Sequence, residues 1–347
     1  MPALQTLSVE TEGRLENGSE PKVGRSWVPR PWALRKELLG LDVGSSQIKA
    51  ILLSRKHGNV SLKQAAMCPT PQGVVTAGEL TDAISVANSL RKLCKDYRVA
   101  ARRVAVAVSG EKVYTQLEVL PSGFEGDLEG FLQDAMMKVI PYPVDRAAFD
   151  YETFPEEHSP NKGVFWVSSN SEQVEWLREA VTLAGKVPAV VDVQACALAN
   201  AYSFNYQPQP RSAVVLLHIG PRQMTIAQVR GSLLLCSRDA SLSRDRLPSS
   251  ADALAQVVVR EVDRRWDLML QRAAPAKPER IYVSGGLAHS AVLREALSQG
   301  TGLPVEELNP FREISYSPAT EAGQIAREHG ATLAVAVGLA LRSFEEL

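Results

Sequence analysis

Apolar residues recur in short, evenly spaced runs from residue 39 onward, and the first three runs predict three antiparallel strands. These runs cover residues 39–43, 48–54 and 60–63. Short segments rich in turn-forming residues separate them, Gly44-Ser45-Ser46 first and residues 57–59 second. Turns of this kind join neighbouring antiparallel strands. The pattern therefore predicts a three-stranded meander.

Helical and strand patterns then alternate along the chain. Apolar residues at helical spacing predict helices over residues 80–97, 128–139 and 171–184. Continuous apolar runs predict buried strands over residues 104–108, 163–168 and 187–193. Alternation of this kind is typical of an α/β fold with helices layered on a mixed sheet.

The second half of the chain, which begins near Pro208 and Pro210, repeats the opening pattern. Residues 217–224 align with residues 41–48 at an offset of 176, with Leu, Gly and Gln at identical positions. Chance is one explanation for three identities in eight positions. The same strand–turn–strand context around both copies favours an internal duplication, which predicts two related lobes.

The two glycine-containing hairpins predict anion binding. Glycine in a tight turn lets backbone N–H groups approach an anion, because no side chain blocks them. Two such hairpins in facing lobes would clamp a polyphosphate. In the first copy, Asp42 is placed to hold a hydrated Mg²⁺ and Lys49 to reach a phosphate. For either segment alone, an ordinary hairpin with a polar tip is the alternative.

A third glycine element follows a predicted strand at residues 280–283. Ser284, Gly285 and Gly286 lead from this strand into a helical stretch over residues 290–299. A strand, a glycine pair and a helix N-terminus form a backbone surface that can receive a base or a ribose. A sharp strand-to-helix turn without a ligand is the alternative.

Composition and net charge argue against several classes of protein. The 347 residues carry a formal net charge of −1, which removes the global electrostatic argument for nucleic acid. The four cysteines show no C-x-x-C spacing, and the apolar stretch over residues 331–341 is shorter than a membrane span. We expect a protein of a reducing compartment, soluble and cytoplasmic.

The N-terminal segment 1–37 lacks periodicity and is expected to be a flexible arm. Within it, residues 21–36 hold Trp27, Trp32 and five basic residues, without an acidic residue. This composition suits an anionic membrane surface or a partner, whereas a solvated tail is the plainer interpretation.

The sequence lacks the motifs of several other classes of enzyme and binding protein. It contains no P-loop, no G-x-G-x-x-G dinucleotide motif and no G-x-S-x-G nucleophile elbow. The five histidines are scattered without metal-ligand spacing, so a zinc site is not expected.

Six segments together carry a resemblance to known proteins, from residue 38 to residue 345. They are Gly40-Leu41-Asp42-Val43-Gly44-Ser45-Ser46, Ile140-Pro141-Tyr142-Pro143, Val191-Asp192-Val193, Val283-Ser284-Gly285-Gly286, Asn309-Pro310-Phe311 and Gly338-Leu339-Ala340-Leu341-Arg342. The chain resembles the actin, hexokinase and Hsp70 ATPase superfamily, and more specifically the PilM family of actin-like, FtsA-related type IV pilus assembly proteins.

The resemblance implies a two-lobed actin-like fold, a duplicated ribonuclease H-like architecture. Lobe one (1A) would comprise residues 38–76 and 156–207 and be closed by a C-terminal helix within 331–347. A subdomain 1C would be inserted at residues 77–155. Lobe two (2A) would comprise residues 208–330, with a smaller subdomain 2B at about 237–277.

The resemblance also implies an ATP site, with Mg²⁺ as a possible companion held through water by Asp42. Asp192 aligns with the acidic residue near the attacking water and is the candidate general base, although a turn carboxylate is an equal alternative. The implied nucleotide-binding residues are Asp42, Gly44, Ser45, Ser46, Lys49, Gly220, Arg222, Gln223, Thr225, Gly285 and Gly286.

The second hairpin departs from the family pattern. His218 stands where the family has an acid, and a neutral imidazole cannot replace a carboxylate beside hydrated Mg²⁺. Pro221 has no N–H to donate, and Arg222 occupies a position that is usually small. Leu242-Ser243-Arg244 replaces a glycine pair. We therefore expect ATP binding with weak or absent hydrolysis, with Arg222 contacting a phosphate directly.

The implied function is that of a cytoplasmic assembly protein at the inner face of the inner membrane. It would bind the cytoplasmic N-terminal tail of PilN in a groove between 1C and 1A, and through partners reach the membrane and the pilus motor ATPases. No nucleic acid partner is expected. The alternatives are a small-molecule kinase of the same superfamily and a related actin-like secretion or division protein.

Overall fold

The three N-terminal strands form an antiparallel meander, as the apolar pattern predicts. A computed structural model describes residues 37–76, 78–120, 122–155, 162–242, 251–270 and 277–344. In it, β1 (Leu38–Val43) pairs with β2 (Gln47–Lys56), which pairs with β3 (Asn59–Pro69). Most of the N-terminal arm therefore lies outside the described residues.

Two further strands complete the sheet of lobe one. β6 (Arg103–Val108) and β10 (Val187–Val193) extend it in parallel, in the order β10-β6-β1-β2-β3. Two helix pairs cover this sheet: α1 (Ala83–Asp96) packs with α3 (Ser171–Leu183), and α4 (Gln194–Tyr206) packs with α8 (Ala334–Leu341). The sheet and its helices enclose a large apolar core.

Lobe two repeats this topology. Three antiparallel strands are followed by two parallel ones. They are β11 (Ala213–Ile219), β12 (Gln223–Arg230), β13 (Leu233–Ser241), β14 (Arg280–Ser284) and β15 (Val305–Glu307). The helices of this lobe are α5 (Ala251–Leu270) and α6 (Ala291–Thr301), and α7 (Glu321–His329) packs against β3. The shared topology confirms the internal duplication. The segment expected to form 2B, at 237–277, lies partly outside the described residues.

An inserted unit interrupts lobe one between β6 and α3. It comprises β7 (Tyr114–Leu120), α2 (Leu128–Met137), β8 (Ala147–Pro155) and β9 (Lys162–Asn170), with a core of its own. Through a short pairing of β7 with β13, its strands join the sheet of lobe two, giving the order β15-β14-β11-β12-β13-β7-β9-β8.

Strand pairing differs from the boundaries that the sequence predicts for the insertion, 77–155. Strand β6 lies inside that range but pairs with β1 of lobe one, whereas β9 lies outside it but pairs with β7 and β8. Residues 75–80 form a small hairpin of β4 (Val75–Thr76) and β5 (Glu79–Leu80). Sheet membership therefore places the insertion later in the chain than predicted.

The C-terminal helix α8 is shorter than the segment predicted to contain it, 331–347. A 3₁₀ turn at Gly330–Leu333 precedes α8, and another at Arg342–Phe344 follows it. Helix α8 packs tightly because two glycines allow close backbone approach. A Cβ on Gly40 would lie 2.1 Å from the Ala336 carbonyl oxygen, and one on Gly338 would lie 1.8 Å from that of Ala197.

Candidate functional site

The first hairpin joins two predicted site residues in a buried ion pair. Asp42 and Lys49 face each other across β1 and β2, and Lys49 Nζ donates to Asp42 Oδ2 over 2.7 Å. Only 12% of the Asp42 side chain and 8% of the Lys49 side chain are exposed. The carboxylate predicted to hold Mg²⁺ is therefore already neutralised by the amine predicted to contact phosphate.

The tip of this hairpin keeps two backbone donors available. The Gly44 N–H closes the turn by donating to the Gln47 carbonyl, while Thr70 holds the carbonyls of Gly44 and Ser46. The N–H groups of Ser45 and Ser46 donate to no other residue that the structure describes. They remain able to receive an anion.

The second hairpin has the same turn but a different charge. The Gly220 N–H donates to the Gln223 carbonyl, as Gly44 does in the first copy. His218, the counterpart of Asp42, forms a hydrogen bond through Nδ1 with Ser284 Oγ over 2.9 Å. Burial lowers the pKa of His218 to about 4, with Asp42 opposing this shift and Lys49 adding to it. The imidazole is thus neutral at pH 7 and lies within electrostatic reach of the ion pair in lobe one.

The third glycine element lies against the second hairpin. Gly285 adopts φ +90°, and a Cβ there would come within 2.4 Å of the Ile219 carbonyl oxygen, so packing requires glycine at this position. Gly286 is exposed, with open space where its Cβ would lie. Of the two predicted glycines, Gly285 positions the turn and Gly286 presents a bare backbone surface.

Two predicted binding residues of lobe two are engaged in contacts with neighbouring side chains. Gln223 Nε2 donates to Ser109 Oγ over 3.0 Å and to Gln194 Oε1 over 3.3 Å, which ties lobe two to lobe one. Thr225, the counterpart of Lys49, donates to Asp239 Oδ1 over 2.6 Å. The contacts of Gln223 link the two lobes, whereas the contact of Thr225 joins two neighbouring strands of lobe two.

Asp239 is a second link between the lobes, and the sequence analysis missed it. Its Oδ2 accepts the Gly110 N–H over 2.6 Å. Burial raises the pKa of Asp239 to about 6, against the effect of its hydrogen bonds from Thr225 and Gly110. Its position opposite Thr225 within an apolar strand was the available signal.

Asp192, the predicted general base, lies in a buried ion pair at the carboxyl end of β10. Its Oδ2 is 3.7 Å from Arg342 Nε, and each side chain is 2% exposed. Its Oδ1 accepts the Val193 N–H. Burial raises the pKa of Asp192, while Arg342 opposes this shift. Leu41 of β1 and Val191 of β10 pair with the same residue of β6, Val106, so Asp192 lies at the end of the sheet that carries the first hairpin, with its side chain paired to Arg342.

The same arginine lies where the inserted unit meets lobe one. Burial raises the pKa of Asp150 to about 6 and that of Glu152 to about 7, and the charge of Arg342 opposes both shifts. Both acids belong to β8, which among the described strands pairs only with β9 and so lies at the edge of the sheet. A half-buried acidic strand edge therefore borders this junction.

The groups at the tips of the two hairpins suit phosphate better than a divalent cation. Ser45, Ser46 and Arg222 supply backbone donors, and the half-buried Arg222 adds a guanidinium. Asp42 is paired, and His218 is uncharged. Among the described residues, no group of three His, Cys, Asp or Glu side chains is arranged to hold a metal ion.

The length and hydropathy of the described helices were compared with those of membrane-spanning helices. In the part of the chain that the structure describes, no helix combines the length and the apolar character required to cross a bilayer.

Comparison with known proteins gives one family and a shared fold. The family of type IV pilus assembly protein PilM matches residues 40–250 and 252–344. The chain is similar to a solved structure described as the PilM–PilN type IV pilus biogenesis complex, with a TM-score of 0.71 and 24% identity over 89% of this chain and 99% of that chain. It is also similar to ethanolamine utilization protein EutJ from Carboxydothermus hydrogenoformans, with a TM-score of 0.51 and 14% identity over 90% of this chain and 92% of that one. The predicted two-lobed actin-like fold is confirmed.

Proposed function

The chain belongs to the PilM family of type IV pilus assembly proteins, and we propose that it is a nucleotide-binding scaffold of the pilus machine. In this role it binds ATP between its lobes and the cytoplasmic tail of a PilN-like inner-membrane protein at the inserted unit. It lies in the cytoplasm at the inner membrane and reaches the motor ATPases through partners. The observation that carries the proposal is the family match across both lobes and the insertion.

The two hairpins and the third glycine element are the ATP site in this proposal. The N–H groups of Ser45, Ser46 and Arg222 receive phosphate oxygens, and the Arg222 guanidinium adds a charge-assisted contact. Gly286 offers an unobstructed backbone surface to the nucleoside. Asp42, Lys49, Gly44 and Gly220 shape the hairpins that present these donors.

Hydrolysis is weak or absent in this proposal. Phosphoryl transfer depends on metal ions that neutralise developing charge and on a positioned water. Asp42 forms an ion pair with Lys49, and His218 is neutral and buried, so neither side chain offers a free negative charge to a metal ion. A general base at Asp192 stays a prediction, and that role requires the carboxylate to leave Arg342.

The acidic edge of β8 is the site for the partner's tail. A solved structure of similar fold is described as a PilM–PilN complex. An extended tail binds a strand edge by adding main-chain hydrogen bonds. Strand β8 is nine residues long, and its side away from β9 pairs with no other described strand.

Titration of the full chain with a synthetic PilN-tail peptide, followed by hydrogen exchange, tests this function. We expect saturable binding and slower exchange of amides in β8. Strand β15, at the opposite edge of the same sheet, is the internal control and keeps its exchange rates. Absence of binding, or protection confined to β15, would refute the partner assignment. Phosphorylation of a metabolite by ATP would instead favour the kinase alternative.

A further inference from the structure

The sheet of lobe one has a second end that the proposed function does not use. The first hairpin lies at the carboxyl end of β1, and the inserted unit follows β6, so it joins the lobe at the carboxyl end of that strand. At the other end, β1, β6 and β10 begin, and the β2–β3 turn projects. We call this second end the basal edge, and it comprises residues 54–59, 95–103 and 183–187.

The basal edge presents five basic side chains to solvent. The Gln64 side chain donates to the carbonyls of Tyr97 and Arg98, and the Val187 N–H donates to the carbonyl of Arg102, so separate segments of the chain meet here. Asp96, the one acidic residue in these ranges, pairs with a lysine of the same helix. The exposed basic side chains, which form no ion pair with another described residue, are Arg55, Lys56, Lys95, Arg98 and Arg102.

Two exposed apolar side chains accompany these basic groups. Leu183 is 39% exposed and Val187 is 46% exposed. The Arg91 guanidinium donates to the Leu183 carbonyl, which fixes the end of α3 beside α1. Apolar side chains with a charged rim are typical of protein-binding surfaces. The basal edge therefore suits a polypeptide surface that offers acidic and apolar side chains together.

Helix α2 carries such a surface on the far side of the inserted unit. Leu132 and Met136 of α2 pack into the core of the insertion, whereas Ala148 and Phe154, on the other face of its sheet, pack against the core of lobe one. The outer side of α2 therefore faces away from lobe one. Residues 113–137 include five acidic residues and no basic residue. We call the exposed side chains at this outer side the α2 face; they are Glu125, Asp127, Asp134 and Met137.

The α2 face and the basal edge match in charge and in apolar content. The three acidic side chains of the α2 face form no ion pair with another described residue, and Met137 is 61% exposed. The two surfaces lie beyond opposite ends of β6, whose six residues span about 20 Å, so they do not meet within one molecule. A net charge of −1 leaves little overall repulsion between copies.

We propose that the α2 face of one copy of this chain binds the basal edge of a second copy. The acidic side chains of one surface pair with the basic side chains of the other, and Met137 packs against Leu183 and Val187. Because the two surfaces differ, each bound copy still has one surface of each pair available, and further copies add head to tail. The contact arranges several copies, each with its own pair of hairpins, in one row.

Sedimentation velocity of the full chain over a range of concentrations tests the proposal. We expect the wild type to form species larger than a dimer as its concentration rises. Added salt should dissociate these species, because it screens exposed charges. The basal variant, which combines Lys95→Gln, Arg98→Gln and Arg102→Gln, should associate about tenfold more weakly.

A mixture of two variants distinguishes this contact from a twofold dimer. The α2 variant combines Glu125→Gln, Asp134→Asn and Met137→Ser, and on its own it should associate as weakly as the basal variant. Each variant keeps the surface that the other lacks, so an equimolar mixture should form a 1:1 dimer that grows no further. A twofold contact buries the same patch on both copies, and mixing the variants would then restore nothing.

A matched control variant removes the same charge from exposed positions away from both surfaces, with Arg260→Gln, Arg264→Gln and Arg327→Gln. It should associate like the wild type. Equal loss in the control and basal variants, or a mixture that stays monomeric, would overturn the proposal. A wild type that stays monomeric at every concentration would also overturn it and leave the basal edge to a different polyanion. Neither nucleotide nor tail peptide is present, so the outcome is independent of the proposed function.

Discussion

Replacing Asp192 by Asn separates a structural role of this carboxylate from a catalytic one. Asn preserves the shape of the side chain and can still accept the Val193 N–H. It removes the charge that faces Arg342 at 3.7 Å, where both side chains are 2% exposed. Removing one partner of a buried pair leaves an uncompensated charge and costs about 3–5 kcal/mol. We therefore expect Asp192→Asn to lower the free energy of unfolding by about 3 kcal/mol.

Urea denaturation followed by circular dichroism measures this loss. The double variant Asp192→Asn, Arg342→Met removes both charges, so its loss should be smaller than the sum of the two single losses by about 2 kcal/mol or more. ATP affinity of the folded protein should not change, since Asp192 is paired with Arg342 and is not among the proposed nucleotide-binding residues. A stability within about 0.5 kcal/mol of wild type, together with lost ATP hydrolysis, would refute this reasoning and favour the general base.

Three further predictions address individual residues. Burial lowers the pKa of His218 from 6.5 to about 4. The wild type should therefore lose stability relative to His218→Gln as the pH falls from 6.5 to about 4. NMR titration should find a neutral imidazole at every pH above about 4. Burial raises the pKa of Asp239 from 3.8 to about 6. The contribution of Asp239 to the free energy of unfolding should therefore fall as the pH rises from 3.8 to about 6, and Asp239→Asn should remove this pH dependence. The same pH profile of stability in the variant and the wild type would contradict this prediction. Gly338→Ala should destabilise the fold by about 3 kcal/mol or more, since its Cβ meets a carbonyl of α4, whereas Gly286→Ala should retain the wild-type melting temperature.

Local pattern predicts the hairpins well because their determinants are local. Apolar runs and glycine turns set β1, β2, β11 and β12, and the repeat at an offset of 176 predicts their equivalence. The turns around Gly44 and Gly220 accordingly make the same hydrogen bond.

Pairings between distant parts of the chain are not visible in such patterns. The boundaries of the insertion depend on which sheet β6 and β9 join. Likewise, the buried partner of Asp192 comes from the C-terminal turn, and Asp239 reaches a loop of lobe one. Each of these contacts joins residues far apart in the chain. The sequence therefore shows that an acidic residue is present but does not show which residue it contacts.

Calorimetric titration with ATP, with and without Mg²⁺, tests the central claim that the two hairpins bind nucleotide without a metal. We predict binding of wild type that Mg²⁺ does not strengthen, and about tenfold weaker binding by Arg222→Ala, which loses a charge-assisted contact. The control Arg327→Ala, on the exposed face of α7, should bind like wild type. Absence of ATP binding, or binding that requires Mg²⁺ and is lost in Asp42→Asn, would contradict the account.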